Sequence, residues 1–184
     1  MRRVARPITA QYLQNAATFY LERYPSTAEG LRRVLRRRVA RARMAEAPVM
    51  EDVERAIEAI VAKFVEAGVV DDGAFAQTKA RALHRRGTST RLMRRKLELA
   101  GVDASTLDRA MAGLDEELHA DPQQRERRAA IALARRRRLG PFRAPGERQD
   151  KRHRDLAAMA RAGFGFELAR AVIDASDPDA LDEG

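Results

Sequence analysis

The sequence predicts an all-α protein with about nine helices, stacked as an elongated and curved array of repeats. Apolar residues recur at spacings of three and four along most of the chain, which is the period of one helical face. Glycine, proline and small polar residues interrupt this pattern at helix-length intervals. No run alternates β-branched with polar residues, so no strand is predicted.

The first third of the chain contains three predicted helices. The first spans residues 8–24 and ends at Pro25, because proline cannot continue a helix. Residues 26–29 (Ser-Thr-Ala-Glu) match a capping box at the start of the second helix. Pro48 is placed at the start of the third helix, where a missing amide hydrogen costs nothing, and Gly68 ends that helix.

The stretch 68–102 is the most clearly punctuated part of the chain, and it predicts a helix end, a turn and two further helices. Glycine just past a helix end favours left-handed backbone. Aspartate, serine or threonine at a helix start accepts hydrogen bonds from free amides. The residues in these roles are, in chain order, Gly68, the candidate caps Asp71 and Asp72, the apolar anchor Phe75, Gly87, the candidate caps Thr88 and Ser89, the core residue Leu97, and Gly101.

Four more helices are predicted after Gly101. One runs from Asp103 or Ser105 to about residue 119, and the next begins at Asp121-Pro122, a cap followed by a first-turn proline. The last two span about 147–162, with Ala160 facing inward, and about 165–175. Of Phe164 and Phe166, which straddle a turn, one is expected in the core.

The stretch 68–102 resembles the RecX family of bacterial RecA regulators. The resemblance rests on the spacing of five short pieces: Gly-Val-Val-Asp-Asp at 68–72, Phe75-Ala76, Arg86-Gly87, Leu97 and Gly101-Val102. It covers nearly the whole chain and implies the family's fold of tandem three-helix repeats. The expected repeats are 8–70, 71–120 and 121–176, between frayed termini at 1–7 and 177–184.

A helix, a sharp turn and a second helix recur three times in the chain. The turns are at Pro25, Gly87 and Gly163, and each precedes an apolar residue by ten positions. Helix pairs stacked in this way contact mainly their neighbours. The repeat therefore predicts a molecule without a single central core.

The composition favours a polyanionic partner. The formal net charge is +9 and the isoelectric point is about 10.8. Only four of the 36 basic side chains are lysine, a skew that coding bias also produces. Cysteine and tryptophan are absent, and no apolar run approaches the roughly 20 residues of a membrane span. The basic start has no apolar segment of a signal peptide, so we expect a soluble, cytoplasmic protein.

The basic clusters are the candidate contacts for phosphates or for an acidic protein surface, although solvated helix faces have the same composition. The run Arg135 to Arg138 points all round its helix, so these four side chains cannot share one partner. The candidate contact residues are Arg32, Arg33, Arg36, Arg37, Arg81, Arg85, Arg86, Arg91, Arg94, Arg95, Lys151, Arg152 and Arg154.

No catalytic or metal-binding pattern is present. His84, His119 and His153 share no ligand spacing, and there is no phosphate-cradling glycine loop. Asp71 and Asp72 are interpreted as helix caps rather than as a carboxylate pair. We therefore expect no enzyme activity, no cofactor and no metal.

The resemblance implies a monomeric regulator that binds RecA and its nucleoprotein filament, contacts DNA non-specifically and has no membrane partner. Such a protein is expected mainly to inhibit the ATPase, strand-exchange and coprotease activities of RecA. The alternative is a basic helix-turn-helix-like DNA-binding protein, since each repeat has two helices and a tight turn. Against it, the second helices contain many arginines and almost no Asn or Gln to read adenine edges. A helical scaffold that binds only protein is a third possibility.

Overall fold

The structure is a computed structural model that describes residues 6–181. Within that range the chain forms nine α-helices and no β-sheet, which confirms the predicted all-α class. None of these helices is both long enough and apolar enough to span a membrane. Residues 1–5 and 182–184, which were expected to fray, lie outside the described residues. The helices are α1 (Ala10–Leu21), α2 (Ala28–Met44), α3 (Val53–Glu66), α4 (Asp72–Arg85), α5 (Thr90–Ala100), α6 (Ala104–Leu118), α7 (Pro122–Arg137), α8 (Arg148–Arg161) and α9 (Phe166–Ile173).

The chain divides into two compact units. Unit 1 contains the described residues up to Phe75 together with Ala100–Asp103. Unit 2 contains Ala76–Leu99 and the residues from Ala104 onward. The division into three sequence repeats stays a prediction, because the units are defined by spatial compactness and not by repeat register.

The core of unit 1 lies between α1, α2 and α3. Their apolar faces meet in this core, where Leu13, Leu31, Leu35 and Ile57 are fully buried. Burying a leucine or isoleucine side chain is worth about 1.5–3 kcal/mol, so these faces hold the three helices together. Tyr24, which lies within the predicted first helix, is 57% exposed, because α1 ends at Leu21 and the chain turns beyond it.

Two helix starts in unit 1 differ from the prediction. The cap of α2 is Thr27 rather than Ser26, since the Thr27 hydroxyl accepts from the amide of Gly30 at 2.9 Å. The third helix begins at Val53 and not at Pro48. The Pro48 carbonyl instead accepts from the Ile8 amide at 2.8 Å, in a short extended contact that also delays the start of α1.

The two neighbouring aspartates of unit 1 have different roles. Asp71 caps α4 as predicted, because its carboxylate accepts from the Ala74 amide at 2.9 Å. Asp72 accepts instead from the amide of Ala28 at 2.8 Å, at the first turn of α2. The neighbouring Thr27 hydroxyl donates to the carbonyl of Ala100 at 2.5 Å. The start of α2 is therefore held by two groups that are distant in sequence.

Unit 2 repeats this hydrogen-bond arrangement. The Ser89 hydroxyl donates to the carbonyl of Ala162 at 2.7 Å, and this bond spans 73 residues, as does the one from Thr27 to Ala100. The amide of Thr90 donates to the carboxylate of Glu126 at 2.7 Å, in the place that Asp72 has in unit 1. Gly101 and Gly163, which follow the two accepting carbonyls, are therefore equivalent positions in this arrangement. The sequence pattern had instead treated Gly163 as equivalent to Gly87.

The second half of unit 2 packs α7, α8 and α9 around a common core. Its large members include Leu133, Met159 and Ile173. Phe164 is buried and Phe166 is 64% exposed, so one of this pair lies in the core as expected. Leu181 is 5% exposed and lies in the same core, so the described end of the chain is packed rather than frayed at this residue.

Two charged residues of unit 2 are buried that the sequence did not single out. Asp155 of α8 is 1% exposed and faces inward. Ala160 of the same helix had been expected to face inward but is exposed. The Asp155 carboxylate accepts two hydrogen bonds from Arg143, both at 2.8 Å, and one from the amide of Gly140 at 2.9 Å. Arg125 of α7, also buried, pairs with Asp115. The Asp155 contacts hold the segment between α7 and α8 against the helix.

Gly87 lies where two parts of unit 2 come closest. Its φ is +68°, and a Cβ atom there would lie 2.4 Å from the amide nitrogen of Leu133 and 2.7 Å from the carbonyl oxygen of Ala129. Both are backbone atoms of α7, which cannot move aside without displacing the helix. Gly68 has nearly the same φ of +67° but open space around it.

A glycine series separates these two effects. We expect Gly68→Ala to cost about 1 kcal/mol, since only left-handed backbone opposes it. Gly87→Ala should cost about 3 kcal/mol or more, because a backbone clash is added to the same conformational term. Gly113→Ala, inside α6 with open space around it, should stabilise by about 0.5–1 kcal/mol. Urea unfolding of the three variants measures these differences, and equal costs at Gly68 and Gly87 would contradict the close approach.

The buried carboxylate predicts a pH dependence of stability. Burial alone would raise the pKa of Asp155, but the hydrogen bonds from Arg143 and the Gly140 amide outweigh it and hold the pKa below its usual value. A lowered folded-state pKa gives stability that is complete above the unfolded value of about 3.9 and is lost as the pH falls through the folded value. We expect Asp155→Asn to cost about 2 kcal/mol at pH 7.

The difference in unfolding free energy between Asp155→Asn and the unaltered protein should begin to shrink below about pH 4, where the carboxylate of the unfolded chain becomes protonated, and should be lost once the pH falls below the lowered pKa of the native carboxylate. Asp174→Asn, at an exposed pair with Arg152, is the matched control and should change stability much less. A difference that stays constant from pH 7 to pH 3 would show that the Asp155 charge contributes nothing.

Candidate partner-binding surface

In unit 1 three of the predicted contact arginines form ion pairs within the chain. Arg32 contacts Glu58 at 2.8 Å and Arg36 contacts Glu54 at 2.9 Å, and both pairs join α2 to α3. The hydrogen bond to Glu54 raises the pKa of Arg36. Arg33 lies within 3.6 Å of Glu29 on its own helix. A partner that binds these cations must therefore share them with internal carboxylates.

Unit 2 contains three more such pairs. Arg81 of α4 contacts Glu117 of α6 at 2.5 Å, and Arg94 of α5 contacts Asp108 of α6. Arg152 of α8 makes a forked contact with Asp174 at 2.6 and 2.7 Å. The hydrogen bonds from Arg152 lower the pKa of Asp174. These arginines fasten helices to one another, a role that the sequence alone does not separate from partner binding.

The remaining predicted cations differ from these because they have no ion-pair partner among the described residues. Among residues 6–181 they form no ion pair, and all but the half-buried Lys151 are exposed. A cation without an internal carboxylate keeps its full charge for a ligand and has only water to give up. These residues are Arg37, Arg85, Arg86, Arg91, Arg95, Lys151 and Arg154, of which Arg154 still acts electrostatically on the neighbouring carboxylate of Asp155.

Three of the predicted residues meet in one surface cleft of unit 2. Arg91, Arg94 and Arg95 line a cavity of about 600 Å³, which we call the Thr90 cleft. Thr90, Glu98 and Glu126 complete its wall. The carboxylate of Glu126 accepts a hydrogen bond from the amide of Thr90, and Arg94 forms an ion pair with Asp108. Arg91 and Arg95 are therefore the two cations of this cleft that have no internal ion pair.

A second cleft of unit 2 collects cations that the sequence did not bring together. The Gly87 cleft, a cavity of about 330 Å³, is lined by Gly87, Thr88, Leu92, Lys96, Leu133, Arg136, Arg137, Arg161 and Ala162. Arg161 was missed because it is an isolated cation, and Lys96 was missed although it directly follows the candidates Arg94 and Arg95. The position of Arg161 two residues before Gly163, and of Lys96 in a basic run, are the signals that could have found them.

The four side chains of the run Arg135 to Arg138 lie in different places, as their spacing along a helix predicted. Arg135 lies over the ring of Phe142, 5.4 Å from its centroid. Arg136 and Arg137 line the Gly87 cleft. Arg138 ends α7 in a left-handed conformation with φ of +52°. Only two of these four side chains therefore face the same cavity.

The histidines take part in local contacts. A ring nitrogen of His84 lies 3.2 Å from the carbonyl of Arg125, and burial lowers the pKa of this histidine. His119 Nδ1 lies 2.7 Å from the carbonyl of Glu116. Within residues 6–181 no three histidine or carboxylate side chains are grouped so that they could hold a metal ion.

No family model matches the chain. Among curated proteins, the regulatory protein RecX of Myxococcus xanthus is 44% identical over 172 residues, which cover 93% of this chain and 89% of that protein. The regulatory protein RecX of Thermobifida fusca is 34% identical over 155 residues, covering 83% and 72% of the two chains. This chain belongs to the RecX family.

Solved RecX structures have the same fold. The crystal structure of RecX from Lactobacillus salivarius superposes with a TM-score of 0.59 at 17% identity, covering 95% of this chain and 97% of that one. A second RecX crystal structure gives a TM-score of 0.56 at 18% identity and covers 90% and 72%. The resemblance inferred from residues 68–102 is therefore confirmed, and the relatives are named as regulatory proteins rather than as enzymes.

Proposed function

We propose that this RecX-family chain binds RecA and the RecA–DNA filament and mainly inhibits the ATPase, strand-exchange and coprotease activities of RecA. It acts as a monomer in the cytoplasm, contacts DNA non-specifically, and so restrains recombinational repair and the SOS response. The observation that carries the proposal is membership of the RecX family over 93% of the chain. The repeats 8–70, 71–120 and 121–176 are proposed as the units of this architecture.

The cations without internal ion pairs are the proposed contacts. Arg85, Arg86, Arg91 and Arg95 lie at the end of α4 and along α5, and all four are exposed. Exposed charges steer association with an oppositely charged partner and set its salt dependence. The paired residues Arg32, Arg36, Arg81, Arg94 and Arg152 contribute to this surface mainly by holding the helices that present the others.

A sequence-reading helix-turn-helix protein has less support. Neither α2 nor α5 contains an Asn or Gln, the side chains that pair with adenine edges. The first residue of α5, Thr90, donates its amide hydrogen to Glu126. A recognition helix uses its N-terminal residues to contact bases. A carboxylate at this position opposes that approach to DNA.

The proposed function predicts inhibition at low ratios. We expect the single-strand-dependent ATPase of RecA to fall when this protein is added well below one copy per RecA monomer. One bound copy that blocks filament growth, or that lies in the groove of the filament, affects many RecA subunits. Inhibition only at amounts that coat the DNA would indicate competition for phosphate instead. An unchanged ATPase at every ratio would remove the support for RecA regulation.

Charge reversal tests which cations contact the filament. We expect Arg91→Glu with Arg95→Glu to raise the concentration for half-inhibition of the ATPase about tenfold or more, since two available cations become repulsive. Arg55→Glu with Lys79→Glu changes the net charge equally at exposed positions without ion pairs outside the candidate set. Circular dichroism melting checks the fold of both variants. An equal loss of inhibition in the two would assign the effect to net charge and remove the α5 face from the interface.

A further inference from the structure

The Gly87 cleft combines positive charge from three helices. Lys96 is on α5, Arg136 and Arg137 are on α7, and Arg161 is the last residue of α8. We propose that this cleft binds a backbone phosphate of a nucleic-acid strand. The inference rests on the non-specific DNA contact of the proposed function and assigns that contact to named residues, and it can be tested without RecA.

The charge of the cleft is uncompensated. No carboxylate lines it, and within residues 6–181 none of its four cations forms an ion pair. The Thr90 cleft, by contrast, contains Glu98 and Glu126 beside its arginines. Like charges held around one cavity repel each other, and a bound anion offsets that repulsion because it attracts every one of them.

The backbone around the cleft is held in place without a ligand. Gly87 fits against α7 so closely that a Cβ atom would lie 2.4 Å from the Leu133 amide nitrogen. The Ser89 hydroxyl binds the carbonyl of Ala162 at 2.7 Å, next to Arg161. These contacts fix the ends of α5, α7 and α8 relative to one another. A preorganised site loses less free energy on binding than one that must assemble around its ligand.

The lining selects the chemistry of the ligand. Guanidinium groups present forked donors that match phosphate oxygens. No aromatic ring lines the cleft, so a base has no surface on which to stack. Its apolar wall consists only of Leu92, Leu133 and Ala162, beside Gly87 and Thr88. A cavity of about 330 Å³ is near the lower limit for small-molecule sites.

All four cations are exposed at the surface. A continuous strand can therefore pass over the cleft and place one phosphate in it, with its bases directed outward. Recognition of this kind depends on the phosphate and not on the base sequence. The net charge of +9 adds a long-range field that favours a polyanion over a single acidic side chain.

The test uses the whole protein and a fluorescent oligo(dT) of about 20 nucleotides, without RecA, followed by anisotropy. The cleft variant is Lys96→Gln, Arg136→Gln and Arg161→Gln, one change on each helix. The control variant is Arg55→Gln, Lys63→Gln and Lys79→Gln, which removes the same charge from exposed positions without ion pairs. We expect the cleft variant to bind about tenfold more weakly. The slope of log affinity against log salt should become shallower by about 0.7 for each phosphate that the cleft no longer neutralises.

The control variant should lose much less affinity, and random-sequence DNA should give the same ranking as oligo(dT). Because all six side chains are exposed, both variants should melt at the temperature of the unaltered protein. A second variant, Arg136→Lys with Arg161→Lys, keeps the charge and should retain most of the binding. It therefore keeps the test decisive if the neutralised protein is unstable.

Three outcomes would overturn the proposal. Equal weakening by the cleft and control variants would assign DNA affinity to net charge alone. Undiminished binding by the cleft variant would show that no strand phosphate occupies the cleft. Inorganic phosphate that shifts the NMR amide signals of Thr88 and Leu92, while oligo(dT) binding is unaffected by the cleft changes, would make this a small-anion site. Each result is independent of RecA inhibition, so failure here leaves the proposed function to its own test.

Discussion

The structure depends on a hydrogen bond that is made twice, between a hydroxyl at a helix start and a carbonyl just before a left-handed glycine. Thr27 binds the carbonyl of Ala100 in unit 1, and Ser89 binds that of Ala162 in unit 2. Each hydroxyl also accepts from an amide of its own helix, so one side chain satisfies two backbone groups that a helix end leaves free. The glycine that follows each carbonyl allows the chain to turn away.

Several arginines also have structural contacts within the chain. Arg36 pairs with Glu54 and Arg152 pairs with Asp174, and each pair joins two elements that are neighbours in the fold. Exposed pairs of this kind contribute little stability individually. Their larger effect is to divide the basic side chains into those that are held internally and those that are free for a partner.

Periodicity predicted much of the fold, because helix caps and apolar spacing are local properties. The glycines at 68, 87 and 101 have the expected left-handed conformation, and Leu97 is buried as expected. The errors occur where distant residues decide the outcome. Pro48 was placed at a helix start, but its carbonyl binds residue 8 instead. The buried charge of Asp155 depends on Arg143, whose contact no local pattern predicts. The candidate cations were identified by composition, and only the fold separates Arg91 from Arg94.

The residues that carry the family resemblance are mainly those that shape the backbone. Asp71 caps its own helix, Asp72 holds the start of α2, and Gly87 allows the approach of α5 to α7. In unit 2 Glu126 takes the place that Asp72 has in unit 1, although it lies in a different sequence context. A motif of this kind specifies how helices meet and leaves their exposed faces unconstrained. Family membership can therefore be secure while the partner-binding cations must be located from the geometry of the individual chain.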